Sequence, residues 1–259
     1  MSRLRARCPH CRTLTAVAFG AVYECHSCGR EFASGLVRVP RAWGDGGEPM
    51  VEAAYLSVEL PEVAVVEEAT LEEQNLALAA ALPDRPVVLG GCCCAHIGAV
   101  EGLAARDGDV AVVWLDAHGD LNTPESSPSG NLWGMPLRML LDAGTIDARR
   151  TVLVGARSLD PAEEELIAAG GLRSVPEAVA EAVSGADAVY VALDVDVLEP
   201  NPAVVAFMPE PGGLAEDEVI SLLEDVRAAA PVAGAGVTGL TAAPGNAAAV
   251  TRFTNALGF

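Results

Sequence analysis

Asp116, His118 and Asp120 alternate in VVWLDAHGDLNTP, and Asp194 and Asp196 repeat that two-residue period in YVALDVDVLEP. In extended backbone a period of two turns side chains to one side. The first stretch can therefore present two acids and an imidazole together, and the second two more acids. If both ends converge, four carboxylates and a histidine share one place. Carboxylates at close range cannot all stay ionised unless cations neutralise them. Two divalent ions, with aspartates able to bridge them, answer that need; such a pair lowers the pKa of a bridging water and polarises an electrophile. The bland alternative is a set of solvated turn carboxylates with one capping histidine. It suits an isolated DxD better than two motifs that each end an apolar strand.

Cysteine chemistry forms a second group of signals. Cys8, Cys11, Cys25 and Cys28 make two CxxC knuckles, CPHC and CHSC, with 13 residues between them. Four thiolates at this spacing can surround one tetrahedral Zn²⁺. The segment resembles a zinc ribbon, with TLTAVAFGAVYE as a hairpin arm turning at Gly20. Its alternatives are a redox pair or a ribbon that has lost its metal. His10 and His26 read as spacers within the knuckles. About thirty residues bury too little core to stand alone, so the metal would hold this module together. Contact with nucleic acid, contact with another subunit, or cover for an active site are its candidate roles. Cys92, Cys93 and Cys94 are consecutive, and clustered thiols in a reducing compartment point to metal chemistry rather than disulfides.

The elements that must position these groups follow from the rest of the 259 residues. Apolar runs AAYLSVEL, PVVLGG, VAVVWLDA, TVLVGA, AVYVALDVD and VAGAGVTGL read as strands, and LEEQNLALAAAL, PAEEELIAAG, LAEDEVISLLEDVRAAA and AAAVTRFTNAL as helices. Nearly continuous Val/Leu/Ala strands imply burial on both faces, and their alternation with helices implies a parallel sheet between helical layers. Ligands in such folds gather at the carboxyl ends of strands, where both acidic motifs lie. The expected organisation is a ribbon-like module over 1–34, a Gly/Pro-rich linker over 35–50 and an α/β domain over 51–259. The chain has 36 acidic and 16 basic residues, for a net charge of −20, which disfavours nucleic acid as a partner. No apolar run reaches the roughly 20 residues that span a bilayer, and no signal-peptide core follows the basic N-terminus, so a cytoplasmic protein is expected.

DAHGD with NTPESSPSGN, followed by DVDVLEP, resembles the ureohydrolase family of arginases, agmatinases and formiminoglutamases over most of residues 80–259. The resemblance implies a three-layer α/β/α fold with a dinuclear manganese centre, whose metal-bridging hydroxide attacks a guanidinium or related amidine carbon. It implies that Asp116, His118, Asp120, Asp194 and Asp196 are metal ligands, and that Asp120 relays a proton towards the leaving amine. Asn122, Ser129, Asn131 and Asp160 match residues at the substrate mouth, each with a bland reading as a turn former. Trimers and hexamers are common in the family.

Departures from the family pattern are equally specific. The family's GGDH turn reads GGCC here, which puts Cys93 at the sixth ligand position and leaves His96 as an alternative donor. Alternation turns Cys92 and Cys94 away, as small buried hydrophobes. Two divalent ions carry four positive charges; four aspartates cancel them, and a thiolate leaves one negative charge in excess. A soft donor also shifts preference from manganese towards zinc or iron. Trp133 stands where the family has a proton-shuttling histidine, and Met208 where it has threonine. The region of the cation-pairing glutamate falls near Gly239, so arginine or agmatine hydrolysis is doubtful. The favoured reading is a hydrolase cleaving a C–N bond in a small amidine, guanidino or amide compound, with two divalent ions and one structural zinc. A catalytically inactive metal-binding scaffold whose ribbon meets a partner is the alternative, and a nucleic-acid-binding regulator is the weakest.

Overall fold

The computed structural model describes residues 5–6, 11, 13, 15–19, 22–170 and 172–259. Strands β1 (Arg5–Ala6), β2 (Ala16–Phe19), β3 (Val22–Cys25) and β4 (Glu31–Val39) come first. Next are α1 (Glu48–Ala53), β5 (Glu62–Val65), α2 (Leu71–Ala81), β6 (Arg85–Gly90), α3 (Ala95–Asp107) and β7 (Val110–Leu115). The chain continues through α4 (Pro136–Asp142), β8 (Thr151–Val154), α5 (Pro161–Ala168), α6 (Val179–Val183) and β9 (Ala188–Asp194). It finishes with α7 (Glu216–Ala229), β10 (Val232–Thr238) and α8 (Asn246–Ala256).

Strand order is β1-β2-β3-β4-β6-β10-β9-β7-β8, with β5 also on β4. Pairing from β4 and β5 through to β8 is parallel, and β1 to β4 pair antiparallel. Every residue of β6, β7 and β9 is buried, because helices cover both faces. On one face Leu78 of α2, Val100 and Leu103 of α3 and Leu137 of α4 pack over Trp114 and Tyr190. On the other, Val219 and Leu223 of α7 and Phe253 of α8 pack over Val189, Val191 and Val237. The expected three-layer α/β/α arrangement is what the chain adopts. The helix expected from LEEQNLALAAAL starts at a capping box: Thr70 Oγ1 accepts from Glu73 N (3.2 Å) while Glu73 Oε2 accepts from Thr70 N (3.1 Å). The acidic first turn of α7, Glu216–Asp217–Glu218, suits the positive end of its helix dipole.

Two expectations need correction. Residues 35–39 are not linker: they complete β4, pair with β6, and bury Leu36, Val37 and Val39 fully. The strand also runs backward to pair Glu31–Ala33 with β3, so the N-terminal hairpin and the main sheet share one strand. Nor is AAYLSVEL a strand. Its first residues close α1, and the guanidinium of Arg38 donates to Ala54 O (2.5 Å) and Leu56 O (3.0 Å). That contact uses the carbonyls of a turn, and the edge position goes to β5 instead. The expected hairpin turn at Gly20 lies outside the described residues.

Candidate metal centre

Four neighbouring strands, β6, β10, β9 and β7, end side by side, and the loops after them carry the motifs. Parallel register sets Leu115 beside Leu193 and Thr238 beside Asp194, so the chain's acidic groups emerge at one level. Gly239 takes φ +68°, and a Cβ there would collide with Asp194 Oδ1. A glycine is therefore needed both for its left-handed backbone and for room. The strand ends form the floor of a cavity of about 300 Å³.

On that floor the sequence-predicted donors come together. One ligand atom each from Cys93, Asp116 and Asp120 lie within 4.8 Å of one another, and so do atoms of Asp116, His118 and Asp196. Asp116 belongs to both groups. His118 Nδ1 lies 2.9 Å from Asp196 Oδ2 and 3.4 Å from Asp116 Oδ1. Asp194 Oδ2 lies 3.1 Å from Cys93 Sγ, and Asp194 Oδ1 accepts from Asp196 N (3.0 Å). Backbone amides fix two further oxygens: Ala117 N donates to Asp196 Oδ1 (2.9 Å) and His118 N to Asp116 Oδ1 (2.7 Å). Asp120 has φ +53°, and its buried Oδ2 has no hydrogen-bond partner among the described residues.

The electrostatics follow from crowding like charges in a dry site. Burial, then the neighbouring Asp196, raises Asp194 to about 7. Burial, then Asp116, raises Asp196 to about 6. Asp120 rises well above the ordinary carboxylate range, again by burial first. The Cys93 thiol is also pushed up, by burial and by Asp120, Asp194 and Asp116. Burial opposes charge on His118, yet hydrogen bonds to Asp116 and Asp196 hold its imidazole up to about 12. Such a cluster is short of positive charge. An orphaned carboxylate oxygen and two donor groups sharing one aspartate fit a pair of divalent cations.

Around the floor, Asn122, Ser129, Trp133 and Asp160 line the cavity. Asn122 Nδ2 donates to Asp160 Oδ2 (2.8 Å), and Trp133 stands edge-on to Phe207 at 6.2 Å. Asn131 does not line the cavity: its Oδ1 accepts from Asp45 N (3.0 Å) and braces the preceding loop. His96 is not among the donors either. It sits in the first turn of α3, bonded to Tyr190 and Thr238. Cys92 turns to the 41–43 segment, and Cys94 is buried.

Three contributors escaped sequence reasoning. Glu163 joins two segments, accepting from Leu121 N (2.9 Å) and Asp160 N (2.9 Å); the DPAE pattern at a helix start was its only signal. Glu210 reaches the cavity with Oε1 3.7 Å from His118 Nε2. Its loop is gathered by Arg157, whose guanidinium donates to Asp196 O (2.7 Å), Glu210 O (2.7 Å) and Pro211 O (3.1 Å). No local pattern marks Arg157 or Glu210, because the partners of Arg157 are up to 54 residues away and Glu210 meets His118, which is farther still.

In the N-terminal hairpin, ligand atoms of Cys11, Cys25 and Cys28 lie within 4.8 Å of one another. Cys11 Sγ is 3.4 Å from Cys25 Sγ. Cys8 and His10 lie outside the described residues; His26 is exposed.

Comparison with known proteins agrees with this architecture. The arginase of Bacillus subtilis (strain 168) is 37% identical over 158 residues, 51% of this chain and 53% of that relative. The arginase of Brevibacillus brevis is 36% identical over 159 residues, with the same shares. The chain thus matches about half the length of these curated relatives. Among solved structures, Bacillus caldovelox arginase superposes with a TM-score of 0.75 at 24% identity, covering 87% of this chain and 98% of the other. Bacillus subtilis formimidoylglutamase gives 0.67 at 20% identity, covering 86% of each, a likeness of fold. A sequence model described as the arginase family matches residues 51–254, and the chain belongs to that family.

Proposed function

We propose that this chain is a metal-dependent hydrolase cleaving a C–N bond in a small amidine, guanidino or amide compound. The observation that carries the reading is the pair of donor groups sharing Asp116 on the cavity floor. Cys93, Asp116 and Asp120 would hold one divalent ion, and Asp116, His118 and Asp196 the other, with Asp194 beside Cys93. Bound there, the ions would supply hydroxide near neutral pH and a polarised substrate carbon.

The chain's own residues account for the remaining chemistry. Asp120 Oδ2, buried and unpartnered among the described residues, can take a proton from water and hand it to the departing amine. Trp133 cannot exchange protons at neutral pH, so that task falls to Asp120. Among the described residues His118 is the only basic one lining the cavity, whereas Asp160, Glu163 and Glu210 add carboxylates. This balance favours a cationic or neutral substrate over an anion. Glu210 also supplies a carboxylate that the loop near Gly239 does not, which supports keeping guanidino compounds among the candidates.

Metal identity turns on Cys93. A thiolate favours zinc or iron over manganese, and a further structural zinc would sit among Cys8, Cys11, Cys25 and Cys28. Free thiols at Cys92, Cys93 and Cys94 suit a reducing compartment such as the cytoplasm.

The test combines metal analysis with turnover. Purified protein should carry zinc or iron beyond one ribbon equivalent, and a panel of amidines, guanidines and amides should yield urea, ammonia or a formamide. Asp196→Ala should lose one ion, and Asp120→Asn should lose turnover by roughly 100-fold or more. A fully loaded two-manganese centre with Cys93 freely alkylated would refute the thiolate assignment. Full metal loading with no turnover across the panel would refute the hydrolase.

A further inference from the structure

Behind the donor set runs a line of hydrogen bonds. Tyr190 OH lies 2.9 Å from His96 Nδ1, and His96 Nε2 lies 3.2 Å from Thr238 Oγ1. Thr238 Oγ1 lies 3.3 Å from both Asp194 Oδ2 and Cys93 Sγ. All five residues are buried.

Counting hydrogens gives the line a direction. The His96 ring is wholly buried and its two nitrogens meet hydroxyls rather than a carboxylate, so it is neutral and carries one N–H. If that N–H were on Nδ1 it would point at Tyr190, whose hydroxyl hydrogen would then have no acceptor among the described residues. Thr238 would meanwhile spend its own hydrogen on Nε2. A buried donor left without an acceptor is strongly disfavoured. With the N–H on Nε2 every hydrogen has an acceptor: Tyr190 donates to His96, His96 to Thr238, and Thr238 to the Cys93–Asp194 pair. Packing holds the ring in place, edge-on to Trp114 at 5.0 Å and to Tyr190 at 5.8 Å. Gly236 keeps the lane open, because a Cβ there would collide with Tyr190 OH and His96 Nδ1.

We propose that Tyr190, His96 and Thr238 are positioning residues, a one-way donor line whose last hydrogen bond steadies Cys93 and Asp194 as metal donors. The inference rests on the metal-centre reading above and adds how this chain tolerates sulfur in an already anionic set. Cys93 Sγ donates to Asp194 Oδ2 at 3.1 Å while it keeps its proton, and once a metal displaced that proton two anions would stand so close and repel. A hydroxyl aimed at both, and obliged by His96 to donate forward, offsets that repulsion.

The experiment titrates the metal-free full chain with Co²⁺ under chelator competition and follows the sulfur-to-cobalt absorption band. The Cys93 contribution is the part of the spectrum lost in Cys93→Ser. Thr238→Val should weaken the Cys93-side ion about 10- to 100-fold and shift that band. Thr238→Ser, which restores the hydroxyl, should return affinity to within about threefold of wild type. Tyr190→Phe, which hardly changes volume, should shift the band the same way with an intermediate loss. If Thr238→Val, or a Tyr190→Phe protein tested where Thr238→Val does not fold, keeps wild-type affinity and an unshifted band, the donor line is refuted while the metal centre stands. A wild-type protein with no Cys93-dependent band overturns the thiolate ligand itself, and this inference with it.

Discussion

Replacing Gly239 with alanine perturbs the centre without removing a donor. At φ +68° an alanine is strained by roughly 1–2 kcal/mol. Its Cβ would also overlap the Asp194 carboxylate, and overpacking of this kind costs about 1–3 kcal/mol. The backbone cannot simply retreat, because Gly239 O accepts from Phe207 N at 2.7 Å. Asp194 cannot yield freely either, being tied to Asp196 N at 3.0 Å and to Cys93 Sγ at 3.1 Å. The combined cost is about 2–5 kcal/mol, which in a chain of this size lowers the melting temperature by roughly 5–15 °C. The protein that remains folded should bind one divalent ion fewer, because Asp194 is displaced from Cys93. Thermal melts and metal stoichiometry by mass spectrometry measure both effects. A Gly239→Ala protein that melts within about 2 °C of wild type and keeps its full metal complement would refute the reasoning.

Acid should destabilise the fold through His96. Its folded value near 3 lies below the ordinary 6.5, so the unfolded chain binds more protons between those values and stability falls as pH drops through that window. Urea denaturation of wild type should lose up to about 1.4 kcal/mol per pH unit more than His96→Gln between pH 6 and 4; parallel curves would contradict this. Arg157→Ala should free the loop carrying Asp196 O, Glu210 O and Pro211 O, costing about 2–4 kcal/mol in urea denaturation and opening residues 199–211 to protease. An unchanged cleavage pattern would count against it. Cys25→Ser should release about one equivalent of zinc and make the N-terminal hairpin protease-sensitive. Unaltered zinc content would remove the ribbon metal.

Much of the centre was legible because its chemistry sits in short strings. DAHGD and DVD pack the donors into a few residues after strands apolar enough to read as buried on both faces, although the strand period itself does not hold: β7 ends at Leu115, Asp120 takes φ +53° and Asp196 lies in a short helical turn after β9. GGCC was legible only by resemblance, since three consecutive cysteines carry no period. Where the structure departs from the reading, the cause is long-range. Residues 35–39 look like linker because Gly35 and Pro40 bracket them, yet pairing with β6 makes them strand. AAYLSVEL looks like strand, yet Arg38 captures its carbonyls. His96 offers itself as a donor by proximity in sequence, but helix geometry turns it to Tyr190. Glu210 reaches the cavity through a loop whose course Arg157 dictates.

Because β4 belongs to the hairpin at one end and to the parallel sheet at the other, the three described thiols and the aspartates hang from strands of one sheet. The two candidate metal sites are welded to opposite reaches of a single ladder. Loosening the N-terminal one would then fray an outer rung of the same framework that aims the other, so their occupancies should rise and fall together.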